Sequence, residues 1–446
     1  MRNADIAIIG GSAAGPVAGI TARKHNKDAS ILLIRKESKV MVPCGIPYIF
    51  GTVGSPDKNV IPDALLTNNR IDLVIDEAIS IDRSTKTLTT AGGETIGYGK
   101  LIMATGSLPV RPPIPGIDLK NVFPVWKDAD YLAKMQQSLH TAKDIVIIGG
   151  GFIGIEMADE CNKIGEGKVT VVEILPHCLL LAIDEEFCSS AEEKLSERGI
   201  NVITNNGVQS ILGNGSVESV ELQNGERVKA DAVIIGIGAV PNTELAQRAG
   251  LRIGEKKGIW VDEYMRTSDE SIFACGDCAE KYSFFTKQPS ALRLASIATF
   301  EARIAGGNVS GLKRKNPGVI GVFCTAFGNY AFSAAGLTEN AAKQAGFDTI
   351  TGEVVAPDKH PGSMPNATPL KIKLVFDKQT GKLLGGEVAG GLTTGEMANT
   401  IAALIQNGMT AEQTALFQMG THPALTCSPI SYQIVSAAEI ALSKLS

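Results

Sequence analysis

No stretch of this chain carries five like charges in a row, and the formal net charge is only −5 over 446 residues. The electrostatic footprint that nucleic acid or an anionic membrane surface would need is therefore missing, and neither partner is expected. No apolar run reaches the roughly 18 uncharged residues that cross a bilayer, so no membrane span is expected. Met1, Arg2, Asn3 and Ala4 lead directly into the strand-like Asp5-Ile6-Ala7-Ile8-Ile9, with no charged and apolar leader between, and a cytoplasmic location is the expectation. The eight cysteines lack regular spacing, which excludes a disulfide framework and suits a reducing compartment, with most thiols acting as small buried hydrophobes. Cys275 and Cys278 have redox or metal spacing, but no second pair or adjacent histidine completes a zinc site. That pair reads as structural, and no metal is expected.

What is present is an ordinary globular balance, 44% hydrophobic and 20% charged, in a length that predicts about three domains at roughly 100–200 residues each. The 48 glycines are more than average usage, and many sit in turns where backbone must approach a ligand closely. Strand-like runs of Ile, Val and Leu alternate with helical segments, which predicts α/β architecture with mainly parallel sheet. Two strand-turn-helix units stand out. Ile6 to Ile9 is followed by Gly10-Gly11-Ser12-Ala13-Ala14-Gly15, a helix from near Pro16 and a strand at Ile31 to Ile34. Ile145 to Ile148 is followed by Gly149-Gly150-Gly151-Phe152-Ile153-Gly154, a helix and a strand at Val169 to Val172. The stiff segment from Arg111 to Gly116 marks a domain boundary. Further switches follow Gly238 to Asn242 and the basic stretch from Lys313 to Pro317, after which the pattern is α+β.

Each strand-turn-helix unit is a phosphate site, because free amides and the positive end of the helix dipole converge on a pyrophosphate. The second copy keeps all three glycines, Gly149, Gly151 and Gly154, and its next strand ends in Glu173. Glu173 is placed to hold a ribose 2′-hydroxyl and would repel a 2′-phosphate, which favours NADH over NADPH; the bland alternative is a solvated strand end. The first copy has Ser12 in place of the middle glycine and Arg35 in place of the acid. Arg35 or Lys36 would then meet the ribose or phosphates of a different dinucleotide, and FAD suits this site.

Together these motifs resemble the FAD-dependent pyridine nucleotide–disulfide oxidoreductase superfamily over nearly the whole chain. The resemblance is to the branch with CoA-disulfide reductases, NAD(P)H sulfur or persulfide reductases, and NADH oxidases and peroxidases. It is carried by the first glycine turn, Ala104-Thr105-Gly106, the second glycine turn, Gly238 with Pro241-Asn242, and Ile272-Phe273-Ala274-Cys275-Gly276-Asp277. It implies two Rossmann-type domains and an α+β dimerisation domain. The expected boundaries are 1–112 and 246–315 for FAD, 113–245 for NADH and 316–446 for the dimer interface. It further implies that Asp277, after Gly276, binds the ribityl and phosphate region of FAD, and that Ala78 and the Ala104 turn also meet FAD. Leu294-Ala295-Ser296 starts a helix aimed at the flavin, whose amino end stabilises negative charge. Phe152 and Glu156 lie between nicotinamide and flavin, with core packing as the bland reading of Phe152.

Pro43-Cys44-Gly45-Ile46-Pro47-Tyr48 resembles the active-site segment of the single-cysteine branch, with the thiol at the mouth of a helix. A helix amino terminus lowers a thiol's pKa, and the thiolate attacks disulfides and polysulfides. Dithiol relatives carry a second cysteine five positions on, where this chain has Ile49, so Cys44 is expected to cycle through a mixed disulfide, persulfide or sulfenic acid. The family's peroxidases and some oxidases carry a catalytic histidine at the position of Ala13, which weakens an oxygen- or peroxide-reducing reading. The segment from Thr421 to Cys427 resembles one that crosses a homodimer interface. His422 is then a candidate acid–base group or an interface residue, Cys427 a candidate resolving thiol, and Tyr432 a candidate substrate-orienting phenol. The expected substrate is a small sulfur compound, with CoA disulfide leading and CoA as substrate or bound mixed disulfide.

Overall fold

The computed structural model describes residues 2–165 and 167–445. Its first sheet runs Asp72–Ile75, Ile31–Arg35, Arg2–Ile9, Thr95–Met103, Thr87–Thr90 and Ala78–Asp82, and Ile272–Ala274 also pairs with Thr95–Met103. The centre is parallel, with Ile8 opposite both Leu33 and Ile102, and Phe273 opposite Ile102. Parallel strands are covered on both faces, which is why Ile8, Leu33 and Ile102 can be fully buried neighbours without polar alternation. Helix Ala14–His25 packs over this sheet and against helix Ala295–Asn308.

A second parallel sheet lies between those pieces in sequence, ordered Asn201–Ile203, Lys168–Val172, Asp144–Ile148, Ala232–Ile235 and Val122–Pro124. The chain therefore leaves the first sheet, builds the second, and returns through Ile272–Ala274. Past residue 320 the backbone forms a five-stranded antiparallel sheet, Val322–Phe327, Tyr330–Gly336, Leu383–Gly390, Pro369–Asp377 and Thr349–Pro357, backed by helices Thr394–Gln406 and Gln433–Ser443. The protein is thus α/β, with two Rossmann-type units and an α+β carboxy-terminal unit.

One hydrophobic core crosses these units. Met41, Ile46, Ile49 and Phe50 from the Cys44 segment pack with Ile145, Ile155 and Phe187 of the second unit and with Phe327 and Phe332 of the carboxy-terminal sheet. At about 1.5–3 kcal/mol per fully buried large apolar side chain, this shared core fixes the cysteine segment against two other units.

Candidate functional site: two uncapped glycine turns and one thiol

Helices Ala129–Thr141, Glu339–Gln344 and Ala411–Ala415 have their first amides capped by Asp128, Thr338 and Thr410. Helices Ala14–His25, Phe152–Asn162 and Ala295–Asn308, like Glu185–Glu197, Thr394–Gln406 and Gln433–Ser443, have no side-chain cap; the N-cap residues of the first three are Ala13, Gly151 and Leu294. Free amides at a helix start are the donors an anionic ligand takes. These three ends belong to the first glycine turn, the second glycine turn and the Leu294-Ala295-Ser296 segment.

In the first turn Gly10 has φ +115°, and a Cβ there would meet Ala104 O at 2.1 Å. A Cβ on Gly15 would meet Gly10 O at 1.8 Å. Bare backbone is needed at both positions to bring strand, turn and helix together. Ser12 and Ala13 are half-buried at the open helix mouth beside buried Ala14. Ala104-Thr105-Gly106 is tied to the second crossing of the chain: Thr105 Oγ1 donates to Asn242 O at 2.6 Å, and Asn242 N donates to Gly106 O at 2.9 Å. Gly238, at φ +97°, opens that second crossing, whose strand Ala239–Pro241 pairs with Ser107–Pro109.

Asp277 sits at the same turn cluster. Ser107 Oγ donates to Asp277 Oδ2 at 2.7 Å, and Lys127 Nζ lies 3.8 Å from that oxygen. Gly276 packs on the first helix, since a Cβ there would stand 2.9 Å from the Ala14 Cβ. Beneath the turn is a buried ion pair, Lys281 Nζ to Glu301 Oε2 at 2.8 Å, with Gly276 N donating to the same oxygen at 2.9 Å and Lys281 Nζ donating to Gly276 O at 2.6 Å. The uncapped amides, bare glycines and half-buried Asp277 suit the phosphates and polyol of a flavin dinucleotide.

Arg35 has other work. Its guanidinium donates to both Asp63 carboxylate oxygens at 2.6 and 3.0 Å and to the carbonyls of Glu37 and Ser38. The side chain is almost wholly buried, and its stem lies where a Cβ on Gly11 would go. The structure commits Arg35 to shaping the floor of the turn. Lys36 is exposed, 4.0 Å from Glu77, and Ala78 opens an edge strand of the first sheet.

In the second turn, a Cβ on Gly149 would meet Gly236 O at 2.8 Å and one on Gly154 would meet Gly149 O at 1.9 Å, whereas Gly151 faces open space. That contrast is the one a close-approaching pyrophosphate requires. Gly150 N donates to Glu173 Oε2 at 2.5 Å and Leu175 N donates to Glu173 Oε1 at 2.8 Å. Glu173 is therefore a buried, oriented carboxylate beside the turn rather than a solvated strand end. Phe152 stacks face to face on Phe323, with centroids 5.2 Å apart, while Ile153 is half-buried. One turn further, Glu156 accepts a hydrogen bond from Thr325 Oγ1 at 3.1 Å, and burial pushes its carboxyl up to about 7.

Cys44 lies in a three-residue 3-10 turn, Pro43–Gly45, followed by a second, Pro47–Ile49. The expected helix mouth is thus only a pair of short turns. The expected lowering of the thiol's pKa is also corrected: partial burial, then the charge of Glu156, push the Cys44 thiol up, with Lys127 opposing them. A turn of three residues has too small a dipole to outweigh that surrounding. The thiol is nonetheless exposed, and the charge of Glu156 acts both on it and on Tyr48, whose hydroxyl burial pushes up to about 12. Thr52, eight residues on, is held by Glu160 through its amide at 2.6 Å and its hydroxyl at 2.9 Å, which pins the segment to the Phe152–Asn162 helix.

Six cysteines are buried, including Cys275 and Cys278, and only Cys44 and Cys324 are exposed. His422 is exposed and bonds within its own loop, its Nδ1 accepting from Ala424 N at 3.2 Å. Tyr432 is half-buried beside buried Cys427. Among the described residues, no hydrogen bond or ion pair joins these three to Cys44 within one chain. Lys127, Phe323 and Thr325 escaped the sequence reading, because each meets the site only through tertiary contact.

A surface cavity of about 440 Å³ opens beside Asn3, Asp5, Ser30 and Lys86, at the end of the first sheet opposite the glycine turn. The uncapped helices and the thiol place the chemistry at the carboxyl ends of the strands, as expected for open α/β sheets.

Two Rossmann-type units, two bare phosphate turns and an accessible thiol define an FAD- and pyridine-nucleotide-dependent oxidoreductase. The chain belongs to the pyridine nucleotide-disulphide oxidoreductase family: residues 4–302 match that family and residues 322–429 match its dimerisation domain. It is 32% identical to the NAD(P)H coenzyme A polysulfide/persulfide reductase of Pyrococcus horikoshii over 424 residues, 94% of each chain. It is 31% identical to the NADH oxidase of Methanocaldococcus jannaschii over 451 residues, covering 98% of this chain and 99% of that one. The structure of an NAD-dependent persulfide reductase from A. fulgidus superposes with a TM-score of 0.92 at 32% identity, covering 99% of this chain and 83% of that one. Among the described residues, no helix is long and apolar enough to cross a membrane.

Proposed function

We propose that the protein is an NADH-dependent reductase of a low-molecular-weight disulfide, persulfide or polysulfide, with CoA disulfide the leading substrate, and that it works as a homodimer through Cys44. The observation that carries this reading is Cys44 itself: an accessible sulfur within the electrostatic influence of Glu156, with buried Ile49 where a dithiol enzyme would need a second thiol. Bound FAD would take a hydride from the nicotinamide and supply two electrons to sulfur. Ser12, Ala13 and Asp277 would hold that group. Gly151 would admit the NADH pyrophosphate, and Glu173 would hold its ribose hydroxyls and repel a 2′-phosphate.

The protein's sulfur chemistry then runs in two steps. The Cys44 thiolate attacks one sulfur of the substrate, a new S–S bond forms, the old one breaks, and the leaving thiolate takes a proton. Two electrons then cleave the mixed disulfide or persulfide, which restores Cys44 and releases the second thiol or sulfide. Glu156, near neutrality in its pKa, is suited to exchange the proton. Exposed Leu425 at 64% and Ile430 at 94% lie within the segment from His422 to Tyr432 and support a dimer interface there. The buried thiols fit a reducing cytoplasm.

The second reading is an NADH oxidase, the name carried by the M. jannaschii relative, with Ala13 against it. An electron-transfer reductase with a protein acceptor is the third. Anaerobic NADH oxidation with CoA disulfide and with polysulfide, in wild type and Cys44→Ser, separates them. Fast turnover with a sulfur acceptor that vanishes in the variant supports the reductase. Turnover with oxygen alone, or an unaffected variant, overturns it.

A further inference from the structure

The first strand of the carboxy-terminal sheet meets the nicotinamide-side helix at two points. Phe323 and Thr325, two apart on one face of Val322–Phe327, contact Phe152 and Glu156, four apart on one face of Phe152–Asn162. Strand and helix periodicities allow such a double contact only in one register. The Phe152 and Phe323 rings are nearly parallel, at 8°, and Gly321 makes room for the Phe323 ring, since a Cβ there would stand 2.7 Å from its Cε2. Thr325 is buried, and its hydroxyl bond to Glu156 fixes how the strand lies on the helix. Phe152 is the first residue after Gly151, the open glycine of the phosphate turn, so its ring stands beside the path of any dinucleotide on that turn.

We propose that Phe323, from the carboxy-terminal unit, is a positioning residue for the nicotinamide end of the dinucleotide, acting by holding the Phe152 ring in place. This rests on the reading that the Gly149 to Gly154 turn binds NADH. A stacked aromatic pair contributes enough to change an affinity roughly two- to ten-fold. The effect should fall on the nicotinamide half alone, because the adenosine diphosphate half is bound by Gly151 and Glu173, which Phe323 does not touch.

The test is calorimetric binding of NAD⁺ and of ADP-ribose, which lacks nicotinamide, to FAD-loaded wild type, Phe323→Ala, Phe323→Leu and Phe323→Tyr. We expect Phe323→Ala to weaken NAD⁺ binding by roughly two- to ten-fold and to leave ADP-ribose unchanged. Phe323→Tyr should restore wild-type affinity. Phe323→Leu keeps the bulk without the ring, and should resemble Phe323→Ala even if the latter fails to fold. Unchanged or tighter NAD⁺ binding in the ring-free variants overturns the inference, as does an equal loss for both ligands. If wild type binds neither nucleotide, the NADH reading itself falls and this inference with it.

Discussion

The buried pair beneath the Asp277 turn makes the sharpest energetic prediction. Lys281 and Glu301 lie 2.8 Å apart with side chains 2% and 0% exposed, and Glu301 Oε2 also accepts from Gly276 N. Removing one partner of such a pair strands a buried charge and costs about 3–5 kcal/mol. Lys281→Met and Glu301→Leu should therefore each lower the unfolding midpoint strongly and release FAD, because Gly276 positions Asp277. The double variant Lys281→Met/Glu301→Gln removes both charges, and its glutamine oxygen can still accept from Gly276. It should recover part of the stability and the FAD, short by the bonds that Lys281 gives to the carbonyls of Gly276 and Ala279. Lys281→Met/Glu301→Leu should fall between, short by the roughly 1–3 kcal/mol of an orphaned amide. Denaturant unfolding of the FAD-loaded variants, with free flavin followed by fluorescence, reads both quantities. Single variants costing less than about 1 kcal/mol, or a double variant as poor as the two losses summed, would refute the argument.

Three further outcomes follow from the geometry. Glu156→Gln should lower the pKa of the Cys44 thiol, because it removes the carboxylate charge that helps raise it; thiolate absorbance against pH measures this, and an unmoved thiol would contradict it. Glu387 is buried between Asp184 and Lys373, with its Oε2 unpartnered, and burial raises its pKa well above 4.5. Its folded form holds a proton that the unfolded chain releases, so its stability contribution is full below about 4.5 and is lost as pH rises through the folded value; Glu387→Gln should flatten that fall in thermal unfolding. Glu173→Ser should narrow the preference for NADH over NADPH in steady-state kinetics, and an unchanged ratio would remove Glu173 from cofactor selection.

The parts of this molecule legible in its sequence are those fixed by short-range backbone geometry. Ile6 to Ile9 and Ile145 to Ile148 read as buried parallel strands because they are short, rich in β-branched residues and bounded by glycine turns. The structure extends these strands to Arg2–Ile9 and Asp144–Ile148. What was not legible depends on partners far along the chain. Thr325 reaches Glu156 across 169 positions, and Phe323 reaches Phe152 on the same face. Arg35 looked available to a ligand because its claimant, Asp63, stands 28 residues away. The thiol of Cys44 was expected to be acidified by a helix. The sequence does not reveal that the helix is a three-residue turn, nor that the charge of Glu156, from another unit, acts on the thiol. Lys281 and Glu301 carry no signal in the sequence, because their pairing across 20 positions and their burial appear only once the turn folds over them.

The central claim is that Cys44 is the atom at which substrate sulfur is held. It is tested most directly by mass spectrometry of the FAD-loaded protein after anaerobic exposure to CoA disulfide, before and after adding NADH. The account predicts one CoA adduct per chain, on the peptide containing Cys44, that NADH removes. An adduct on Cys324 alone, no adduct, or a Cys44 adduct that NADH leaves in place would contradict it.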